Sequence, residues 1–551
     1  MSETSRLRPL SWLTALVLAL LGSLQACDCG STGADVRRFA CTEDDECASG
    51  FVCRLGECQP EEEPDGGVPD GGEPDGGGTD GGPDAGPPDG GPTDSNKLAV
   101  VTAPLTVQAG RCSTGVVVES QDPLGNAINA GARTTINLTA APSTGFRFFS
   151  DALCIFPITS LTLTANRSRV TFYVQGQTGG TFSISASAPG FSTASQSETI
   201  LPAVRTGTCT LPTGGDSVTC SISPPQLDLT KTLLFFQASS NDSAPDSASV
   251  RCSLSALNAV TCTRNSGNGA SDPAVRIQWQ TAELVSGINV QHLEAECEGT
   301  PLIELPIQPV SSLRSAFLLV SSEKNGITQG DDDYYAASLF QGDGEFHVDL
   351  EFSVDCVASW RASVQVVELE GADVTRGLTG SMTGNQLVVS NLPAVDLAST
   401  MLLFTYRTSD ATGPAMCDRV LRGELTSPTS ITFSRGAGAA GCTAATIDSI
   451  SWERIEFSGG VSAQHLLVSM DAGVQTTTVP ITAVDTTRTL VFATGQMQSG
   501  QAGGETSYAG DDVIGASLGW HALTSPTTLE VTRGFDGGVA RWNSTVLQID
   551  P

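Results

Sequence analysis

Basic residues are what this chain most lacks: 28 Lys and Arg stand against 60 Asp and Glu, a formal net charge of −32 over 551 residues. Phosphate backbones need a Lys/Arg footprint, so nucleic acid is excluded as a partner. The same acidity repels anionic lipid headgroups, which leaves membrane contact to a local anchor. Charged residues of both signs make up only 16% of the chain, a composition of short strands and tight turns, not of charged helical surfaces. Histidine is scarce, with only His292, His347, His465 and His521. The cysteines show neither zinc-site Cys/His spacing nor a thioredoxin-like CxxC. The apolar run Leu10 to Leu21 is too short to span a bilayer.

What is present is length enough for three to five domains, abundant Gly, Ser and Thr, and 16 cysteines. Arg6 and Arg8 precede the apolar run, and Leu24-Gln25-Ala26-Cys27 follows it. Together they form a signal peptide, residues 1–26. The tetrapeptide resembles a bacterial lipobox. The resemblance implies cleavage before Cys27, lipid on that cysteine, and a lipid-anchored place in the bacterial cell envelope, at the outer membrane or cell surface. Acyl chains on Cys27 are then the expected membrane partner.

Residues 27–58 hold Cys41, Cys47, Cys53 and Cys58 in a stretch too short for an apolar core, so disulfides are expected to hold it. The spacing resembles small cysteine-rich modules near the start of large bacterial lipoproteins. Residues 59–95 repeat PDGG with no basic residue, the composition of a disordered linker that Pro and like charges extend.

Residues 96–203 alternate apolar and polar positions between Gly, Pro and Asn turns. Val116-Val117-Val118, Asp122-Pro123-Leu124-Gly125-Asn126, Phe172-Tyr173-Val174 and Ser183-Ile184-Ser185-Ala186 resemble bacterial Ig-like domains of the invasin/intimin type. The resemblance implies a β-sandwich.

The remainder repeats. Leu227-Asp228-Leu229-Thr230-Lys231-Thr232-Leu233 returns at 310–316, 395–401 and 484–490, each time before an apolar strand. A second anchor, Trp279-x3-Glu283-Leu284, is matched by Trp452-x3-Glu456-Phe457 and Trp542-x3-Val546-Leu547, with Val364 in the second copy. Four copies are expected at 204–289, 290–373, 374–462 and 463–551, with Trp279, Trp452 and Trp542 in their cores. The fold class is all-β: tandem β-sandwich modules after a disordered Pro/Asp/Gly-rich linker. The strand order, opening on Val-Gln or Val-Thr and closing on Trp, resembles the H-type lectin sandwich. Short junctions between copies lead to the expectation of a semi-rigid rod.

In an exported chain, cysteines are expected as disulfides. The Ig-like segment and the first three copies each hold an even number, and the fourth copy none, giving Cys112–Cys154, Cys297–Cys356 and Cys417–Cys442. Of three connectivities in the first copy, Cys209–Cys220 with Cys252–Cys262 is preferred. Gly515-Ala516-Ser517-Leu518-Gly519 fits a hydrolase GxSxG pattern, but strand-like sequence follows it, which reads as a hairpin serine. Gly436 to Gly441 fits GxGxxG, again without a helix to follow. Asp331, Asp332, Asp333, Asp511 and Asp512 sit in corresponding loops and form a candidate Ca²⁺ site, the one cofactor considered. The functional expectation is adhesion or ligand binding, with a surface glycan or protein as partner and no enzymatic activity. A structural or assembly role in the envelope is the alternative.

Overall fold

A computed structural model describes residues 51–54, 57–60, 96–241, 245–265, 272–297, 299–323, 335–342, 345–353, 355–356, 360–408, 416–436, 446–497 and 513–549. The chain divides into two compact parts, Met1–Asp89 and Gly90–Pro551. In the first, strands Phe51–Arg54 and Glu57–Pro60 pair antiparallel and set Cys53 opposite Cys58. Cys27, Cys41, Cys47 and residues 61–95 lie outside the described residues.

The second part is built almost wholly of strands. Its N-terminal segment is a sandwich of two five-stranded sheets. Strand Gly180–Ser187 shows why: Phe182, Ile184 and Ala186 point into the core while Thr181 and Ser183 face solvent, the period of two that a half-buried strand requires. The Asp122 carboxylate accepts the Asn126 N–H at 2.8 Å, and Gly125 supplies the positive φ of 94° that closes this turn.

Four six-stranded modules follow, spanning 204–283, 288–369, 372–457 and 461–549. Modules 2 to 4 each begin two residues before the boundary expected from the repeats. In every module the first, sixth and third strands form one antiparallel sheet, and the second, fifth and fourth form the other. The first anchor is a capped 3₁₀ turn leading into the third strand. Asp228, Ser312, Asp396 and Asp485 each accept the backbone N–H two residues on, which places the second copy's anchor at 311–317, one residue beyond the 310–316 expected from the sequence. The sixth strand clamps the same turn. Carboxylates of Glu283, Glu368 and Glu456 and the amide oxygen of Gln548 accept backbone N–H groups from Asp228, Ser311, Asp396 and Asp485 at 2.7–2.8 Å.

That clamp corrects the fourth copy's alignment. Gln548, not Val546, matches Glu283, so Trp542 sits two residues ahead of the position held by Trp279 and Trp452. All three tryptophans are buried, and each lies opposite a glycine whose missing side chain makes room. Gly207 faces Trp279 and Gly377 faces Trp452 on first strands; Gly495 faces Trp542 on a third strand.

The modules do not form a rod. Their third strands, Thr232–Ser240, Ala316–Glu323, Thr400–Thr408 and Thr489–Met497, stand around a common axis and line it in layers. Leu233, Phe317, Met401 and Leu490 form one layer; Phe235, Leu319, Leu403 and Phe492 form the next, and all eight belong to one apolar cluster drawn from all four modules. Phe235 stacks on Phe492 with ring centroids 5.3 Å apart. The intervening Leu234, Leu318, Leu402 and Val491 point the other way, each into its own module's core.

A third layer is polar and closes the ring. Gln237 Oε1 accepts from His521 N of module 4 at 3.1 Å, and Ser321 accepts from Cys252 N of module 1 at 3.4 Å. Thr405 accepts from Ala337 N of module 2 at 2.7 Å, and Thr494 accepts from Gly423 N of module 3 at 3.1 Å. Each module thus holds the fourth strand of the module before it, and module 1 holds module 4.

The junctions explain the closure. They are tight reversals in which Gly287, Gly371 and Gly460 adopt positive φ of 72°, 83° and 67°. Successive reversals bond side by side, Glu370 N to Gly287 O at 2.6 Å and Ser458 N to Gly371 O at 2.7 Å. At the closing seam the two backbones approach closely. A Cβ on Gly515 or Gly534 of module 4 would overlap the Ser240 carbonyl of module 1. Gly534→Ala is therefore expected to destabilise the chain by about 1–3 kcal/mol, as overpacking does, read as a lower urea midpoint with unchanged slope.

Candidate functional site

Two cavities lie on the ring axis, separated by the Phe235–Leu319–Leu403–Phe492 layer. One, about 260 Å³, is apolar; the three junction turns and Gly110 of the Ig-like segment line its rim. The other, about 220 Å³, mixes Leu234 and Phe236 with Ser321, Gln365, Thr405, Ser451, Glu453 and Thr494. Ligand pockets usually measure about 300–1,000 Å³, so both fall below the range for a drug-sized molecule. Polar groups at the second cavity are engaged in holding modules together. Gln365 exchanges two 2.8 Å bonds with the backbone of Leu234. Glu453 accepts Leu318 N at 2.7 Å and pairs with Arg376 at 3.0 Å. Burial raises the Glu453 carboxyl, and the Arg376 charge opposes that rise.

The ring also decides where the variable connections emerge. In every module the third strand leaves the capped turn at the junction end and finishes at the opposite end. The third-to-fourth and fifth-to-sixth strand connections therefore start and finish at that opposite end in all four modules. Asp331, Asp332, Asp333, Asp511 and Asp512 belong to these connections and lie outside the described residues.

The motifs that look catalytic are spent on structure. Ser517 follows a 3₁₀ turn, is buried, and its hydroxyl donates to Ile514 O at 2.9 Å. No strand-to-helix elbow presents it. His521 bonds Ser544, not Ser517, through Nδ1 at 2.8 Å, and its Nε2 has no hydrogen-bond partner. Complete burial pushes the His521 imidazole down to about 3. After Gly436, the next described residues form strand Ile447–Phe457, where a dinucleotide site would require a helix.

A Gln-His dipeptide recurs at matching positions of two copies, Gln291-His292 and Gln464-His465, and both act as latches. Gln291 exchanges two bonds with Gln308, at 2.9 and 2.7 Å, and Gln464 does the same with Thr482, at 3.0 and 2.8 Å. His292 Nε2 donates to Leu229 O of module 1 at 3.0 Å, and His465 Nε2 donates to Leu397 O of module 3 at 3.2 Å. Arg376 makes the corresponding bond to Leu313 O at 2.7 Å. Burial lowers both imidazoles. The sequence signal was the repeated dipeptide; that its glutamine braces its own module while its histidine ties that module to the one before was not visible there.

Disulfides join Cys112–Cys154, Cys209–Cys220, Cys252–Cys262 and Cys297–Cys356, each within the Ig-like segment or a single module. Cys417 is also disulfide-bonded; Cys442, its expected partner, lies outside the described residues.

No family model matches the chain, and no curated protein matches it. Among solved structures it aligns with the collagen adhesin (CNA) from S. aureus at 12% identity over 36% of this chain and 86% of that one, TM-score 0.14. It aligns with activated Escherichia coli alpha-2-macroglobulin at 12% identity over 83% and 50% of the two chains, TM-score 0.15. The N-terminal eight Ig domains of Down Syndrome Cell Adhesion Molecule align at 9% identity over 81% and 66%, TM-score 0.11.

Proposed function

We propose that this chain is an exported, lipid-anchored envelope protein whose ring of β-sandwich modules binds a surface partner, a glycan or a protein, through connections gathered at one end of the ring. The observation that carries this reading is the closed ring. It brings equivalent connections from four modules to the same end, where several weak contacts can act together. Beyond the strand that ends at Pro60, residues 61–95 supply an acidic tether, and the disulfides suit an oxidising compartment.

A glycan array probed with the purified full chain tests the binding. Saturable signal, abolished when 324–334 and 498–512 are replaced by Gly-Ser segments, is expected. Absence of binding to glycans and to immobilised matrix proteins alike would overturn the reading and favour a purely structural part in the envelope. The anchor has a separate test. Cys27→Ser is expected to shift the protein from membrane to soluble fractions, or to leave it unprocessed, because the lipid has no other attachment point. Unchanged partitioning and mass would remove the lipobox argument.

A further inference from the structure

Away from the axis, the outer sheet of module 2 carries a group that none of the ring contacts uses. Strands Leu302–Pro306 and Glu345–Phe352 pair antiparallel, with Glu304 directly opposite Asp349 and Pro306 opposite His347. Ile303, Val348 and Leu350 point into the module core, so strand alternation sends Glu304, His347 and Asp349 to the opposite face. One donor atom from each of these three side chains lies within 4.8 Å of the other two. His347 Nε2 is 3.4 Å from Asp349 Oδ1. Phe340 stacks on the His347 ring at 6.0 Å and orients it.

We propose that Glu304, His347 and Asp349 form a binding site for a divalent transition cation of the Zn²⁺ class. Two ligands of a tetrahedral Zn²⁺ bound at about 2.1 Å are roughly 3.4 Å apart, the spacing His347 and Asp349 already have. Glu304 is exposed and free to move the remaining distance. A second observation points the same way. Asp349 Oδ1 is shielded from solvent and accepts no hydrogen bond, with only His347 Nε2 near it at 3.4 Å, an arrangement that costs free energy unless a cation or donor satisfies it. Glu351, the next carboxylate on this face, is paired with Arg407 and is not available as a ligand. One imidazole and two carboxylates suit Zn²⁺, Co²⁺ or Ni²⁺ over Ca²⁺, which takes six or more oxygens. Three protein ligands leave a position for water. The platform is rigid because each ligand is anchored on a strand whose inward neighbours are fully packed.

Isothermal titration of the full chain with Zn²⁺ tests this, with any free thiol alkylated first so that no cysteine can bind the metal. One saturable site per chain is expected, with Ca²⁺ unable to compete. His347→Ala and Glu304→Gln should each weaken binding by roughly tenfold or more, and Co²⁺ should give visible absorption bands that His347→Ala removes. Glu304 is on the surface, so Glu304→Gln keeps the fold and decides the matter if His347→Ala does not. No saturable Zn²⁺ binding, or binding unchanged in Glu304→Gln, would overturn the assignment.

Discussion

Leu490→Ala should loosen all four repeat modules together, and not module 4 alone. Leu490 is 1% exposed and sits in the layer with Leu233, Phe317 and Met401. Truncating a buried leucine costs about 2–5 kcal/mol, made up of lost apolar transfer and the cavity left behind. Here that cavity opens on the axis, where each of the other modules supplies wall. Hydrogen exchange read by mass spectrometry is the measurement. Faster exchange is expected at Leu233–Phe235, Phe317–Leu319 and Met401–Leu403 as well as within 461–549. Leu529→Ala is the control, because Leu529 is equally buried but belongs to module 4's own core; its first effect should stay within that module. If the two variants gave the same local pattern, the axial cluster would be contact without energetic coupling.

The second large effect is a loss of stability in mild acid, traced to His521. Burial holds its folded-state value near 3, against an ordinary 6.5. Between those values the unfolded chain carries the proton and the folded chain does not. Stability contributed by keeping this imidazole neutral is complete above about pH 6.5 and is lost as pH falls, by up to about 1.4 kcal/mol per pH unit for one proton. His292 and His465 are lowered by burial too and act with the same sign. The raised Asp349 and Glu453 carboxyls act in the opposite sense, so the informative quantity is a difference between proteins. His521→Asn retains a short polar group toward Ser544 and removes the titration. Urea unfolding at about pH 7, 6 and 5 should show a shallower decline in the variant, by close to one proton. Parallel declines would show that His521 does not govern the acid response.

Much of this protein was written in local pattern. Alternation of Phe182, Ser183, Ile184 and Ser185 fixes strand and face together, because a β-strand has a side-chain period of two. The repeated anchor is legible because a short side chain, Asp in three copies and Ser in one, must cap the turn before each third strand. Cysteine parity within modules is legible because a disulfide needs nearby partners.

The ring was decided by tertiary structure. Junction length gives how far one module lies from the next, not the direction, and the reversals at Gly287, Gly371 and Gly460 bend a predicted rod into a closed circle. One signal did point there. Leu233-Leu234-Phe235-Phe236 and its counterparts are unbroken apolar runs, and a strand apolar on both faces must be buried on both. Each module's own sandwich covers only one of them. What covers the other face, three further copies of the same strand around an axis, depends on contacts between residues as distant as Gln237 and His521. The Trp542 register was hidden for the same reason, since an indole can occupy any position on that strand where a glycine across the ladder leaves it room.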